Sequence, residues 1–425
     1  MEIITVKSGD TVSAISENYG VSKKKIIADN GLDENGTLVV GQSLIILEPK
    51  SEYTVIEENE RITGVSMETG VSPQTLLRNN IFLKGRRTFS PPDILVTAYS
   101  DRPVFTGIIG GYAYDSIPQT LLQTVIPYMT YLMPFTYGFT PDGTLLQPND
   151  RRLIETAVIY GVKPLMHLST LTEQGNFSNE LAHKLLANTA AIENLYRNVL
   201  DTVITKGYYG IDIDFEFLFS EDKDRYTSFI KGMTELMNAY GYICVTALPP
   251  KTSDEQKGLL YEGIDYKALG EAADYAFVMT YEWGYRFGPP LAVAPINSVR
   301  RVIDYTVSRI PPEKVLLGIS NYGYDWTLPY VKGESEAISI STVHALETAK
   351  KYDAEILFDD DAKSPYFNYT DNFGRQHIVW FEDARSYREK VLLMKEYNLA
   401  GGFIWDLMRE NPQGFVTLNA LIDII

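Results

Sequence analysis

The sequence predicts an α/β protein: a (β/α)8 TIM barrel with a small α+β insertion between strands seven and eight, preceded by two small βααβ modules. Three observations predict it. A pattern in the first hundred residues returns after about fifty positions. From about Pro103, short apolar strands alternate with helical stretches. One of those strands carries carboxylates at alternate positions, so that three of them share one face.

Composition narrows the partners. The chain has 425 residues, more than one compact domain usually holds. Hydrophobic residues are 45% and charged residues 22%, ordinary for a globular protein. A net charge of −17 argues against nucleic acid or an anionic membrane surface as a partner. The 29 Tyr, 18 Phe and 4 Trp could stack on sugars or fill a core, so their number decides nothing. The single cysteine, Cys244, lies in an apolar run and reads as a buried thiol. The N-terminus lacks the basic and apolar regions of a secretory signal, and no run is long enough to span a bilayer. The expectation is a monomer made in the cytoplasm.

The repeat pairs Ile4-Thr5-Val6 with Tyr53-Thr54-Val55, Gly20-Val21-Ser22 with Gly70-Val71-Ser72, and Asp29-Asn30 with Asn79-Asn80. Each copy reads strand, helix, helix, strand. Ser22 and Ser72 are placed to cap the second helix, and Asn30 and Asn80 to end it. Apolar runs at 43–47 and 93–97 close the copies. The first copy resembles the LysM domain, which binds N-acetylglucosamine-containing glycans, through Thr5-Val6-Lys7-Ser8-Gly9-Asp10-Thr11, Asn30 and Val40-Gly41-Gln42-Ser43-Leu44. The second is degenerate, with Glu57-Glu58-Asn59-Glu60 and Pro91-Pro92-Asp93 at the corresponding turns. Residues 1–48 and 51–98 thus form two LysM-like modules, binding units or plain spacers. They are expected to supply attachment, leaving turnover to a separable barrel at 101–425.

Barrel strands are predicted at 104–110, 129–135, 163–168, 208–215, 243–248, 273–279, 315–319 and 402–405. Helices are predicted at 180–204, 223–240, 298–309 and 384–397, and the insertion at about 327–376. The glycines at 107–111 fit no phosphate- or dinucleotide-binding pattern and read as a tight turn. The four histidines show no metal spacing and read as structural.

The chemistry concentrates in Gly210-Ile211-Asp212-Ile213-Asp214-Phe215-Glu216. On a strand, Ile211, Ile213 and Phe215 face the helices while Asp212, Asp214 and Glu216 face the barrel interior. Burying three carboxylates costs several kcal/mol unless they share protons or find donors. Like charges raise one another's proton affinity, so one group can stay protonated near neutral pH. Glu216 lies at the C-terminal end of the strand, where barrel active sites form.

Gly210-x-Asp212-x-Asp214-x-Glu216 resembles the signature of glycoside hydrolase family 18, the chitinase family. Met279-Thr280-Tyr281-Glu282 resembles that family's Met-x-Tyr-Asp motif, and Gly318-Ile319-Ser320-Asn321-Tyr322-Gly323 its seventh strand. Trp405, in Gly402-Phe403-Ile404-Trp405-Asp406, resembles the tryptophan under its catalytic subsite. Tyr209 stands where an Asp is usual, Glu282 replaces Asp, and His167-Leu168-Ser169-Thr170 lacks the usual Ser-x-Gly-Gly. The resemblance implies substrate-assisted retaining hydrolysis. Glu216 would be the acid, Asp214 and Asp212 its supporting pair, and Tyr281 the group holding the acetamido oxygen. Trp405, Glu282, Tyr322 and Asn321 would bind substrate, with no metal or cofactor. The combination with LysM-like modules resembles spore cortex-fragment-lytic N-acetylglucosaminidases, which implies peptidoglycan or cortex fragments as partner and deposition at the spore's coat–cortex boundary. A chitinase, or a non-catalytic glycan-binding or spore-layer protein, is the alternative.

Overall fold

The structure is a computed structural model describing residues 1–425. The first N-terminal copy runs Glu2–Thr5, Val12–Tyr19, Lys23–Asp29 and Ser43–Ile46, its two strands antiparallel. The second runs Pro49–Thr54, Ile62–Thr69, Pro73–Asn79 and Ile94–Tyr99, with an added two-stranded ribbon, Glu60–Arg61 with Thr88–Phe89. Ser22 and Ser72 each accept a hydrogen bond from the backbone three residues on, at Lys25 and Thr75. The repeated asparagine has one physical reason in both copies. The Asn30 amide donates to Ile26 O and Ile45 O and accepts from Ile45 N, pinning helix to strand. Asn80 does the same with Leu76 O, Val96 O and Val96 N.

Eight parallel strands follow: Phe105–Ala113, Tyr131–Pro134, a third in two pieces (Lys163–Pro164 and Met166–Ser169), Gly210–Asp214, Ile243–Leu248, Tyr275–Val278, Val315–Ser320 and Gly401–Trp405. The first piece of strand three pairs with strand two and the second with strand four. Strand eight pairs with both strand seven and strand one, closing the ring. Helices such as Thr189–Lys206, Lys223–Ala239, Ile296–Val307 and Ala384–Tyr397 connect the strands. Cys244 is fully buried.

Three expectations are corrected. The glycines at 107–111 lie inside the first barrel strand, not in a turn. A Cβ on Gly110 would come within 2.5 Å of the Phe403 ring, and one on Gly111 within 2.7 Å of Leu407, so glycine there makes room. The insertion is wider than 327–376. Its five-stranded antiparallel sheet begins with Gly323–Thr327 and ends with Gln376–Trp380, and it carries one helix, Thr342–Lys351. The aromatic residues at its two ends pack against the barrel and read locally like barrel strand.

The third correction concerns separability. Ile62, Val65, Leu76, Leu83, Phe89 and Leu95 of the second copy belong to the same continuous apolar core as the barrel. Tyr128 donates to Arg78 O and Tyr160 to Gly85 O, each across that boundary. The first copy keeps a small core of its own around Val12, Ile15 and Leu44. Its closing strand is nonetheless buried on both faces, and Gln413 of the barrel donates to Ser43 O at 2.7 Å and to Asn30 Oδ1 at 3.2 Å. Two small units gain core by docking on a large one. A chain beginning at Asp101 is therefore expected to melt roughly 10 °C below the full chain, since it uncovers apolar surface worth several kcal/mol. Calorimetry of the two chains checks this; equal melting temperatures would show the barrel to be independent.

Candidate active site

Strand four ends at Asp214, and Phe215 and Glu216 continue beyond it before the chain turns at Phe217, with φ of +58°. The Phe215 ring is buried outside the barrel, against Phe139, Tyr226 and Phe229 at centroid distances of 5.3, 5.7 and 5.5 Å. The alternation then turns Asp212, Asp214 and Glu216 inward, as the sequence predicts. Asp212 is completely buried. Its Oδ2 accepts a 2.7 Å hydrogen bond from Tyr112. Asp212 Oδ1 and Asp214 Oδ1 have no protein partner.

Electrostatics divides these acids. Burial, then the charges of Asp214 and Glu282, push the Glu216 carboxyl up to about 8. Burial raises Asp212 to about 6, against the opposing pull of His167 and the Tyr112 hydroxyl. Tyr281, buried and facing Asp214, Glu216 and Glu282, is held well above the usual tyrosine range, so it keeps its proton. Glu282 sits in left-handed backbone, φ +69°, with its Oε1 accepting from the hydroxyls of Tyr322 and, at 3.1 Å, Tyr324. Burial raises Glu282, and these two hydroxyls oppose the rise. The Trp405 ring meets Tyr112, Tyr114 and Phe135 at 5.5, 6.2 and 4.9 Å. Glu282, Tyr322, Tyr324 and Trp405 line a cleft of about 550 Å³ shared with the insertion.

One predicted site residue is elsewhere. Asn321 has no exposed surface. Its amide donates to Asp406 O at 2.9 Å and Arg409 O at 3.0 Å, and accepts from the Tyr387 hydroxyl at 3.1 Å. With its hydrogen-bonding capacity spent on the chain, it braces the loop after strand eight instead of meeting a ligand. Tyr209 precedes strand four at the opposite mouth of the barrel, with Lys163 Nζ 4.5 Å from its ring, so that departure does not touch the site. Two residues were missed: Tyr112 and His167. The signal for His167 was lateral register, because it pairs with Asp212 across strands three and four and so shares its inward face.

A carboxylic acid that keeps its proton near neutral pH, at the C-terminal end of a barrel strand, is suited to protonate a glycosidic oxygen. Fold and site together define a barrel glycoside hydrolase. The chain belongs to glycosyl hydrolases family 18, whose model matches residues 161–410, and a LysM domain matches residues 4–47. It is 35% identical to a cortical fragment-lytic enzyme of Bacillus anthracis over 98% of this chain and 97% of that one. The crystal structure of the Bacillus megaterium QM B1551 spore cortex-lytic enzyme SleL superposes with a TM-score of 0.84 at 36% identity, covering 100% of this chain and 98% of that one. A chitinase from Chromobacterium violaceum covers 74% of this chain and 99% of its own at 25% identity, with a TM-score of 0.68.

The raised Glu216 carboxyl has a consequence for stability. A folded acid that holds its proton more tightly than the unfolded one favours folding less as pH rises between the two values. Between about 4.5 and about 8 the native protein therefore loses stability through this group. Glu216→Gln removes the buried charge, so its melting temperature is expected to gain on the wild type more at pH 9 than at pH 5. Parallel melts at both pH values check this, and an equal difference at both would show that Glu216 is not the strained acid.

Proposed function

We propose that this enzyme hydrolyses β-1,4-linked N-acetylglucosamine-containing glycan, in the form of spore cortex peptidoglycan fragments, by retaining, substrate-assisted catalysis. The observation that carries the reading is the placement of Glu216 just beyond the end of the strand whose Asp212 and Asp214 share its inward face, with the buried Asp212 accepting from Tyr112. Glu216 protonates the leaving oxygen and afterwards takes a proton from water. The substrate's acetamido oxygen attacks the anomeric carbon. Asp214 orients the acetamido N–H, and Asp212 shares a proton with Asp214. The Tyr281 hydroxyl, which keeps its proton, donates to the acetamido oxygen. Trp405 stacks beneath the sugar, and Glu282 and Tyr322 bind its hydroxyls.

The cortical fragment-lytic and spore cortex-lytic relatives, similar over nearly the whole chain, support cortex glycan as substrate. The same reading places its action in the spore, at the boundary of coat and cortex, as part of the proposal. Residues 1–48 act as a glycan-binding LysM module. Residues 51–98, whose βααβ path and asparagine pin match the first copy, act as a second module. The likeness to a chitinase favours a second reading, with chitin as polymer. Mass spectrometry of products from cortex fragments and from chitin separates the two: cortex-derived N-acetylglucosamine ends support the first, and release from chitin alone supports the second.

Glu216→Gln is expected to fold and to lose about 10²–10⁴-fold in turnover; near-full turnover would remove Glu216 from the mechanism. The wild-type rate is expected to be bell-shaped in pH. It falls below about 6 as the buried Asp212 becomes protonated, and above about 8 as Glu216 loses its proton. Fully deacetylated oligomers are expected to resist cleavage, because they lack the nucleophile. Comparable rates on acetylated and deacetylated substrate, followed by chromatography, would exclude substrate assistance.

A further inference from the structure

His167 occupies the barrel centre, with 1% of its surface exposed. Its Nε2 has no hydrogen-bond partner and lies 3.8 Å from Asp212 Oδ2 and 3.8 Å from Asp214 Oδ2. Its Nδ1 is 2.6 Å from the Thr136 hydroxyl. The ring is clamped, stacked on Phe135 at 4.7 Å and met edge-on by Tyr112 at 5.3 Å.

The surroundings fix the tautomer. A bare Nε2 would turn its lone pair on two carboxylates whose outer oxygens are already unpaired. A proton on Nε2 faces two acceptors instead, and Nδ1 then accepts from Thr136. A distance of 3.8 Å is longer than a hydrogen bond. The ring therefore stands midway between the two carboxylates, and rotation of either one by less than an ångström closes a bond on that side. The other titratable groups around this point are acids, phenols and one thiol: Tyr112 from strand one, Asp212, Asp214 and Glu216 from strand four and its end, Cys244 from strand five, Tyr281 and Glu282 after strand six, and Tyr226 from the helix Lys223–Ala239. No lysine or arginine lies within 4.0 Å of the three carboxylates.

We infer that His167 is a positioning residue of this active site: its Nε2–H is the shared donor that Asp212 and Asp214 accept in turn as the proton between them moves. The inference rests on the proposed roles of Asp214 and Glu216. His167 falls where the third-strand motif departs from the Ser-x-Gly-Gly pattern. When Asp214 turns up to the substrate, the Asp212 anion keeps the Nε2–H bond along with that of Tyr112. When Asp214 turns back, the bond passes to it. No proton leaves the ring, and the pair is never left without a donor.

Two measurements on the full-length chain test this. The chain has only four histidines, His167, His183, His344 and His377, so 15N-histidine spectra of the wild type can be assigned by replacing the other three one at a time. The expected result is a proton on His167 Nε2 throughout the active pH range; a ring protonated on Nδ1 alone overturns the inference, whatever the substrate proves to be. The second measurement compares pH–rate profiles of His167→Leu and His167→Gln. Removing the donor lets Asp212 hold its proton more tightly, so Leu is expected to lower kcat at least about tenfold and move the acid limb up by about one pH unit, with KM little changed. Gln, which still offers an N–H, is expected to move the limb back toward the wild type. A Leu variant that is slower but keeps the wild-type limb would leave His167 a packing residue only. If the wild type cleaves no acetylated glycan, the proposed function fails, and the spectra still decide the role of His167.

Discussion

Enclosing ionisable oxygen in a closed barrel is the constraint from which the site follows. Asp212 has no contact with solvent, Asp214 follows it on the same strand, and Glu216 lies just beyond the strand's end. Three anions there would be prohibitively costly, so protons stay bound. The donors supplied are few. Tyr112 serves one oxygen of Asp212, and His167 stands between the two aspartates. Glu216, which has burial and two neighbouring carboxylates against it, keeps its proton to about pH 8. The acid is made by withholding solvation from it, and the same withholding costs the fold stability.

The rest of the structure holds that strand end in place. Phe215 anchors it from outside through Tyr226 on the flanking helix and Phe139 on the short strand Gly138–Phe139. Glu282, forced into left-handed backbone, is held by tyrosines from the far end of strand seven and from the insertion. The insertion thus contributes a wall and a hydroxyl to the cleft. Asn321 ties the loop carrying Asp406 and Arg409 to the last long helix through Tyr387. Trp405 leaves the barrel immediately before that loop, so its ring position depends on a brace that never meets substrate.

Docking of the N-terminal copies changes how attachment can work. Flexibly tethered modules raise the local concentration of substrate without fixing its direction. Here the second copy shares the barrel's core, and the first is held through Gln413, Ser43 and Asn30. The LysM domain at residues 4–47 is therefore held in one orientation to the barrel.

Much of this was legible in the sequence, because it depends on periodicity. The period of two on strand four assigned the inward carboxylates and outward Phe215, and the fifty-residue repeat gave two βααβ units with their serine caps and asparagine ends. Those features arise from contacts within a few residues, or from one buried face, and the local chain encodes both. Lateral relations were not encoded. His167 read as structural because its meaning depends on register with a strand more than forty residues away. Asn321 read as a binding residue because nothing local shows that its amide is already satisfied. The glycines at 107–111 read as a turn because their need for space comes from Phe403 and Leu407, at the other end of the chain. The modules read as separable because apolar faces record that they must be covered, not by what. Sequence determined which residues share a face; the closing of the barrel decided which faces meet.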